Sequence, residues 1–187
     1  MITQTIQTLT GKISISIPEK LNEIQLEQLM AMQAATNLSD LQAISILSGT
    51  AIEELQNIRS VDDLGIFNRQ VTNIAHQISH LYNSDAIPKT VTFIIGENRV
   101  NVSVIKNLSV EPAGAFMAAR EVIADEMARH VQLYGEREWQ EHFNPSLAAC
   151  AQVLAHYFYC RVTGNKYNEY AAAGFEHNVK QLPVTDA

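Results

Sequence analysis

The sequence predicts an α+β fold in which helices dominate, with two β-hairpins and about six helices. Apolar and polar residues alternate with a period of two over residues 1–17 and 91–104, and elsewhere apolar residues recur three and four apart. The two alternating stretches also match each other at an offset of 87 residues. This offset aligns Val100, Val102 and Val104 with Ile13, Ile15 and Ile17, Leu108 with Leu21, Phe116 with Leu29, Met117 with Met30, and Ala118 with Ala31. We therefore expect one hairpin-plus-helix unit used twice, over residues 1–86 and 87–187.

The N-terminal half begins with the weaker copy of this unit. Its two strands turn near Thr10-Gly11, and Pro18 ends the second because proline cannot donate to a ladder. A helix over residues 23–35 follows. The next predicted helix is capped by Ser39 and stopped by Gly49, and Thr50 with Glu53 has capping-box spacing for another short helix.

A longer helix is predicted from Ser60, with acidic residues in its first turn. It carries an apolar stripe at Phe67, Val71, Ile74, Ile78 and Leu81. We expect this stripe to pack inside its own domain; a coiled-coil contact with a partner is the alternative. Asn83-Ser84-Asp85 and Pro88 mark the break between the halves.

The C-terminal half repeats the pattern more clearly. Its second hairpin turns at Gly96-Glu97-Asn98, and a helix over residues 111–134 ends at Gly135. That helix carries an apolar side made of Phe116, Ile123, Met127 and Tyr134. An apolar helix is predicted over residues 146–162, with Asn144 as its N-cap and Pro145 at the favoured first position. Gly164 stops this helix, and the tail after it has weaker helical character. Because an isolated hairpin is marginally stable, we expect the four strands to form one antiparallel sheet.

Composition narrows the class of partner. The 187 residues carry a formal charge of −7, so the chain lacks the excess of basic residues that binds nucleic acid or anionic lipid. The most apolar run, Leu147–Tyr159, is shorter than the roughly 20 residues of a membrane span, and the N-terminus lacks the features of a secretion signal. Two cysteines, both on one predicted helix, favour a reduced cytosolic protein. We expect no nucleic-acid partner and no membrane partner.

His76 and His80 are the first candidate metal ligands, because histidines four apart are the pair used by zinc metalloproteases. That motif needs a glutamate where this chain has Gln77, so no general base is present for a metal-bound water. Helical geometry places both histidines opposite the Phe67/Ile74 stripe. A solvated helix face is the favoured interpretation, and a metal-dependent hydrolase is the alternative.

Two further clusters resemble metal sites in composition only. The first cluster is Glu121, Asp125, Glu126 and His130. Di-metal helix bundles use a Glu and a His three residues apart, repeated on a second helix, and this chain does not have that pattern. A histidine hydrogen-bonded to Glu126 explains why Glu126 and His130 lie one turn apart. His156, Cys160 and Cys150 supply too few zinc ligands, and Cys150 reads as a core residue. Nucleophile elbows, P-loops and dinucleotide fingerprints do not occur. We predict no catalytic residue, no metal ligand and no cofactor.

Aromatic and strand residues give the candidate interface. Tyrosine buries a large area while keeping a polar tip, so tyrosines at a wet surface are typical of protein contacts. A core rim is the alternative interpretation of the four late tyrosines. The second hairpin could also join a partner through an unpaired strand edge. The candidate interface residues are Tyr157, Tyr159, Tyr167, Tyr170, Val100, Val102 and Val104.

Three stretches resemble small proteins of tailed bacteriophages. They are residues 21–29 (LNEIQLEQL), residues 44–49 (ISILSG) with Ile52-Glu53-Glu54-Leu55, and the run from Leu154 to Glu169 that ends in CRVTGNKYNE. The similar phage proteins follow a strand pair with an "E-I-x-L-x-Q" helix and a "hydrophobic-L-x-G" helix, and lead from a late apolar helix into a "T-G-x-K-Y" turn. Many are tail assembly chaperones, and others are structural or cargo-like virion components.

The resemblance implies a non-enzymatic protein that binds other phage structural or tail proteins, or further copies of itself. It implies action in the host cytoplasm during assembly, or incorporation into the virion. Similar chains continue past the "L-P-V" that is Leu182-Pro183-Val184 here, which leaves open a truncated or frameshifted product. A host adaptor domain without a viral role is the remaining alternative.

Overall fold

The computed structural model describes residues 1–60, 62–81, 87–105 and 111–187. In these ranges the fold is α+β with helices predominating, which confirms the predicted class. The chain divides into two compact units. Unit 1 comprises Met1–Ile87 with Pro183–Asp186, and unit 2 comprises Pro88–Leu182 with Ala187. The predicted division after residue 86 lies next to this boundary.

Unit 1 contains a hairpin followed by helices. Its elements are β1 (Ile2–Gln7), β2 (Lys12–Ile17), a 3-10 turn (Leu21–Glu23), α1 (Leu26–Ala34), α2 (Asp40–Ser48), α3 (Ile52–Gln56), a second 3-10 turn (Asp62–Leu64) and α4 (Gly65–Leu81). The antiparallel hairpin pairs Ile2 with Ile17 and Ile6 with Ile13. Ile6, Ile15 and Ile17 are buried, so the period of two separates a core face from an exposed face.

Helix α2 is the centre of unit 1, because it contacts β2, α1, α3 and α4. The predicted caps of α2 are confirmed: Ser39 Oγ accepts from Gln42 N–H at 3.3 Å, and Gly49 ends the helix at φ 69°. The capping box predicted at Thr50 and Glu53 is wrong. Helix α3 begins after Ala51 and its first turn has no side-chain cap.

Residues 183–186, close to the C-terminus, belong to unit 1, which the sequence pattern did not predict. Gln25 and Pro183 form an isolated antiparallel bridge, and Val184 N–H donates to Ile24 C=O at 2.9 Å. Ile24 and Val184 are both buried. The C-terminal segment thus adds one short backbone pairing and one apolar side chain to the first unit.

Unit 2 contains the second hairpin and the longest described helix, α5. Its elements are β3 (Thr90–Ile95), β4 (Asn98–Ser103), α5 (Ala113–Tyr134), α6 (Leu147–Thr163), α7 (Glu169–Gly174) and α8 (Glu176–Lys180). Strand β3 pairs Val91 with Val102 and Phe93 with Val100. Phe93 packs against Phe158 of α6, with ring centroids 5.1 Å apart, and against Phe175, at 5.4 Å.

Helix α6 is the centre of unit 2 and contacts α5, α7, α8 and β4. Gly164 ends it at φ 69°, as predicted. The predicted N-cap is wrong by two residues. Ser146, rather than Asn144, caps the helix by accepting from Ala149 N–H at 3.2 Å.

The expectation of one four-stranded sheet is wrong. The two hairpins form separate two-stranded sheets, one in each unit. Each hairpin buries one face under helices of its own unit, which supplies the support that a lone hairpin lacks in water. Pairing between the hairpins is therefore not required for either to be stable.

The internal repeat holds for the hairpins and fails for the helices. Ile15 and its aligned residue Val102 are both buried. Leu29 is buried in α1, whereas the aligned Phe116 is exposed on α5. The repeated alternation therefore specifies the same strand pair twice, while each following helix buries a different face. The predicted break at Asn83-Ser84-Asp85 and the repeat position Leu108 lie outside the described residues.

Within the described ranges, no helix combines the length and apolar character that a membrane span requires.

Candidate protein-binding site

Helix α5 presents a row of large apolar side chains to solvent. Phe116 is 50% exposed, Ile123 45%, Met127 36% and Tyr134 45%. At about 100° per residue these four positions lie within about 40° of one another, along about 27 Å of helix. We call them the α5 stripe. The spacing predicted that they share one side of the helix, and the structure places that side outside the core.

The core face of α5 is made of smaller and more polar residues than the stripe. Its buried members are Ala115, Ala118, Glu126 and His130, and α5 packs on α6. Alanines allow two helices to approach closely, so the large residues are left on the adjoining face. Soluble monomers rarely expose a continuous row of large apolar side chains, and such rows often mark a protein-binding surface.

Unit 1 has an apolar groove between α1 and α4. Its volume is about 230 Å³. We call it the unit 1 groove. Its lining residues are Leu29, Met32, Gln33, Leu38, Leu47, Val71, Ile74, Ala75 and Ile78. The α4 stripe thus packs inside its unit at Phe67 and Ile74 but lines an open groove at Val71 and Ile78. Grooves of this kind accept the apolar side of a partner helix.

The four predicted interface tyrosines do not form one surface. Tyr159 is buried against Phe175, which corrects the expectation that it is exposed. Tyr157 and Tyr167 are partly buried and their hydroxyls are occupied within unit 2. Tyr170 is 89% exposed and alone of the four presents its whole ring. The core-rim interpretation therefore fits most of this set.

The predicted strand residues Val100, Val102 and Val104 face the interior of unit 2. Val102 is buried, and Val100 and Val104 are partly buried. The adjoining outer edge of β4 is capped by α6. The Tyr157 hydroxyl donates to Ile105 C=O at 2.9 Å and accepts from Ile105 N–H at 2.8 Å. Arg161 donates to Ser103 C=O at 3.2 Å.

Glu126 and His130 both contact the segment that starts α6. The Glu126 carboxylate accepts from Arg129 and from Ser146 N–H, each at 2.6 Å, and these hydrogen bonds, that from Arg129 above all, lower its pKa to about 2. The expected hydrogen bond between His130 and Glu126 is confirmed, and it is made to the main chain of Glu126. His130 Nδ1 lies 2.8 Å from the Glu126 main-chain oxygen, and Nε2 lies 3.1 Å from Asn144 O.

His156 is a buried member of unit 2. Its Nδ1 is 3.0 Å from the Tyr167 hydroxyl, and burial lowers its pKa. Cys150 and Cys160 are both free thiols, and burial raises the pKa of each. In the parts of the chain that the structure describes, no three His, Cys, Asp or Glu side chains converge as metal ligands would.

The two histidines of α4 lie side by side on its exposed face. The rings of His76 and His80 are 4.6 Å apart in an edge-to-face arrangement. Gln77, at the position where the metalloprotease motif has glutamate, donates to Glu19 C=O at 3.2 Å. The two imidazoles are therefore exposed next to each other, and the Gln77 side chain between them is used in a hydrogen bond to the main chain.

The chain matches no protein-family model, and no curated protein or solved structure is significantly similar to it.

The groove was the feature that sequence reasoning missed. The pattern places Leu29 and Ile74 on the core faces of two helices, but the residues that open the groove are Met32 and Leu38 at the end of α1 and in the loop after it. Their apolar character next to a predicted loop was the signal available. The α5 stripe was found by its spacing, and its exposure could have been anticipated from the alanines on the neighbouring face.

Proposed function

We propose that this chain is a non-enzymatic binding protein of tailed-bacteriophage assembly, which acts on other structural or tail proteins in the host cytoplasm. The observation that carries the binding role is the α5 stripe, with four large apolar side chains each at least one third exposed on a single helix. The phage context is supported by the three resembling stretches, which fall on α1, on α2 with α3, and on α6 with the turn after it.

The stripe suits a protein partner better than a small molecule. Aromatic residues and methionine are enriched in interface cores, and the stripe contains Phe116, Met127 and Tyr134. It follows a convex helix surface and so cannot enclose a ligand as a pocket does. The partner we propose is an amphipathic helix or apolar segment that would otherwise aggregate before it is assembled.

The unit 1 groove supports the same role independently. It is lined by aliphatic side chains and methionine, which adapt to different apolar partners. Met32 contributes an unbranched side chain that can change rotamer to fit an apolar partner. Each unit therefore offers an apolar surface of its own for binding.

The proposal is tested by copurification. The full chain carrying an affinity tag is coexpressed with the structural proteins encoded beside its gene, and captured proteins are identified by mass spectrometry. We expect a defined stoichiometric complex with one of them. A chain that remains alone with every neighbouring structural protein would contradict the proposal.

A further inference from the structure

We propose that β3 pairs with β3 of a second copy of this chain, so that the two hairpins of unit 2 join into one antiparallel four-stranded sheet. This goes beyond the proposed binding of other proteins, which the α5 stripe carries. It rests on the backbone of the β3–β4 hairpin, where side chains of α6 bond the end of the β4 edge and no strand among the described residues pairs with the β3 edge.

The register fixes which backbone groups point outward. Val104 N–H donates to Lys89 C=O at 2.9 Å, so this pair exchanges hydrogen bonds within the hairpin. In an antiparallel ladder such pairs alternate with pairs whose N–H and C=O groups face away. The outward-facing positions on β3 are therefore Thr90, Thr92 and Ile94, and they lie opposite Ser103, Asn101 and Arg99 of β4.

The two outer edges differ in how they are covered. On the β4 side, Tyr157 occupies both backbone groups of Ile105, and Arg161 occupies the Ser103 carbonyl. On the β3 side, no strand among the described residues pairs with the outward-facing groups. Ile94 is 65% exposed at this edge. Side chains of α6 thus bond the β4 edge at Ser103 and just beyond it, whereas the outward-facing groups of β3 pair with no strand in the described part of the chain.

The six residues of β3 lack the features that keep strands apart, and Pro88 and Lys89 stand just before them. Exposed edges are normally protected by charged side chains, proline or a bulge. Thr90–Ile95 reads TVTFII, without a charge, a proline or a glycine, whereas β4 carries Arg99. The strand is also rigidly presented, because Val91 and Phe93 are buried beneath it.

A second copy fits this edge because β3 is self-complementary about Thr92. In an antiparallel pairing with a two-fold axis at that residue, Thr92 lies opposite Thr92 of the second copy and Thr90 lies opposite its Ile94. Each of these pairs exchanges two backbone hydrogen bonds. No like charges meet, since the strand has none, and the contact closes on itself as a two-fold dimer.

The test compares two lysine variants of the full chain by sedimentation velocity over a range of concentrations. Thr92 Oγ1 and Asn101 Oδ1 are 2.8 Å apart on the exposed face of the hairpin, so T92K and N101K lose the same hydrogen bond. T92K alone places two lysines opposite each other at the axis. We expect a dimer for wild type and N101K, and a dissociation constant raised about tenfold or more for T92K. Matched circular dichroism spectra show that both variants fold.

Amide hydrogen exchange gives a second readout that does not depend on a variant. Exchange at Thr90, Thr92 and Ile94 should slow as protein concentration rises, while Arg99 and Asn101 on the other edge stay unchanged. A monomeric wild type would overturn the proposal. So would equal dissociation constants for T92K and N101K, or concentration-independent exchange along β3, even where the α5 stripe is shown to bind another protein.

Discussion

At the scale of single residues, the buried polar side chains of unit 2 form hydrogen bonds that join its helices, a role that their residue types alone did not predict. Glu126 is acidic, buried and next to a histidine, a combination typical of catalytic sites. Its partners are Arg129 and the N-cap residue Ser146, so the carboxylate lies at the positive end of the α6 dipole. The result is a hydrogen-bonded link between α5 and the central helix.

Glu126→Gln should destabilise the protein by about 1 to 3 kcal/mol, because charge-assisted hydrogen bonds to Ser146 and Arg129 are lost. Urea unfolding at neutral pH measures this, with Glu121→Gln on the exposed side of α5 as the control. The folded pKa of Glu126, about 2, lies below its ordinary 4.5. Its contribution is therefore present above pH 4.5 and lost as the pH falls toward 2. A difference between wild type and Glu126→Gln that does not shrink in that window would contradict this role.

His156 should make stability depend on pH in a higher range. Burial lowers its pKa below the ordinary 6.5, so the unfolded chain binds the proton first and the free energy of unfolding falls as the pH drops below 6.5. His156→Gln, which can keep a bond to Tyr167, should flatten this dependence. Unfolding midpoints across this range measure it, and the exposed His177→Gln should retain the wild-type slope. Parallel profiles for wild type and His156→Gln would show that another group is responsible.

These residue-level roles were only partly predictable from the sequence. The spacing of Glu126 and His130 differs from the di-metal pattern, but it could not show that the carboxylate reaches Ser146, twenty positions later. Likewise nothing near His156 in sequence indicates Tyr167 as its partner. Such contacts depend on how helices cross, and periodicity within one helix carries no information about that.

At the scale of elements, Tyr167 connects α5 to α6. Its hydroxyl reaches His156, and its ring lies against Gly114 in the first turn of α5. A Cβ at Gly114 would lie 2.7 Å from two ring carbons. The glycine is therefore needed for space, since its backbone is helical.

Gly114→Ala should lower the free energy of unfolding by about 1 to 3 kcal/mol, because the tyrosine ring must move. Thermal or urea unfolding measures the change. Gly65→Ala is the matched control at the start of α4, where nothing lies within 4 Å of the added methyl group. That control should be neutral or slightly stabilising. If Gly114→Ala proved as stable as Gly65→Ala, the packing of Tyr167 on α5 would be wrong.

Elements with a strong local signal were predicted well. Both hairpins, the Ser39 cap and the glycine stops at Gly49, Gly135 and Gly164 follow from local conformational preferences. The errors arose where two signals competed. Asn144 and Ser146 can both cap a helix, and Glu126 stabilises Ser146 from another element. The number of sheets was misjudged because helices, rather than strands, cover the buried face of each hairpin.

At the scale of the whole molecule, the chain consists of two units, each built around one central helix, and each leaves an apolar surface uncovered. Charge is carried mainly by exposed side chains and amounts to −7 overall, which keeps such a protein dispersed while its apolar surfaces remain available. The unit 1 groove is lined almost entirely by apolar residues, which suits the apolar side of a partner helix. These two surfaces are the structural support for the binding role that we propose.

The affinity of the purified partner for two variants of α5 tests this claim most directly. Ile123→Glu places a charge in the centre of the α5 stripe, and Gln132→Glu adds the same charge at an exposed position on another side of the helix. Isothermal titration calorimetry should show a dissociation constant at least about thirtyfold higher for Ile123→Glu, because the contact would bury an unpaired carboxylate. Gln132→Glu should bind as wild type does. Equal affinities for the two variants, with both folded, would contradict the claim that the α5 stripe is the binding surface.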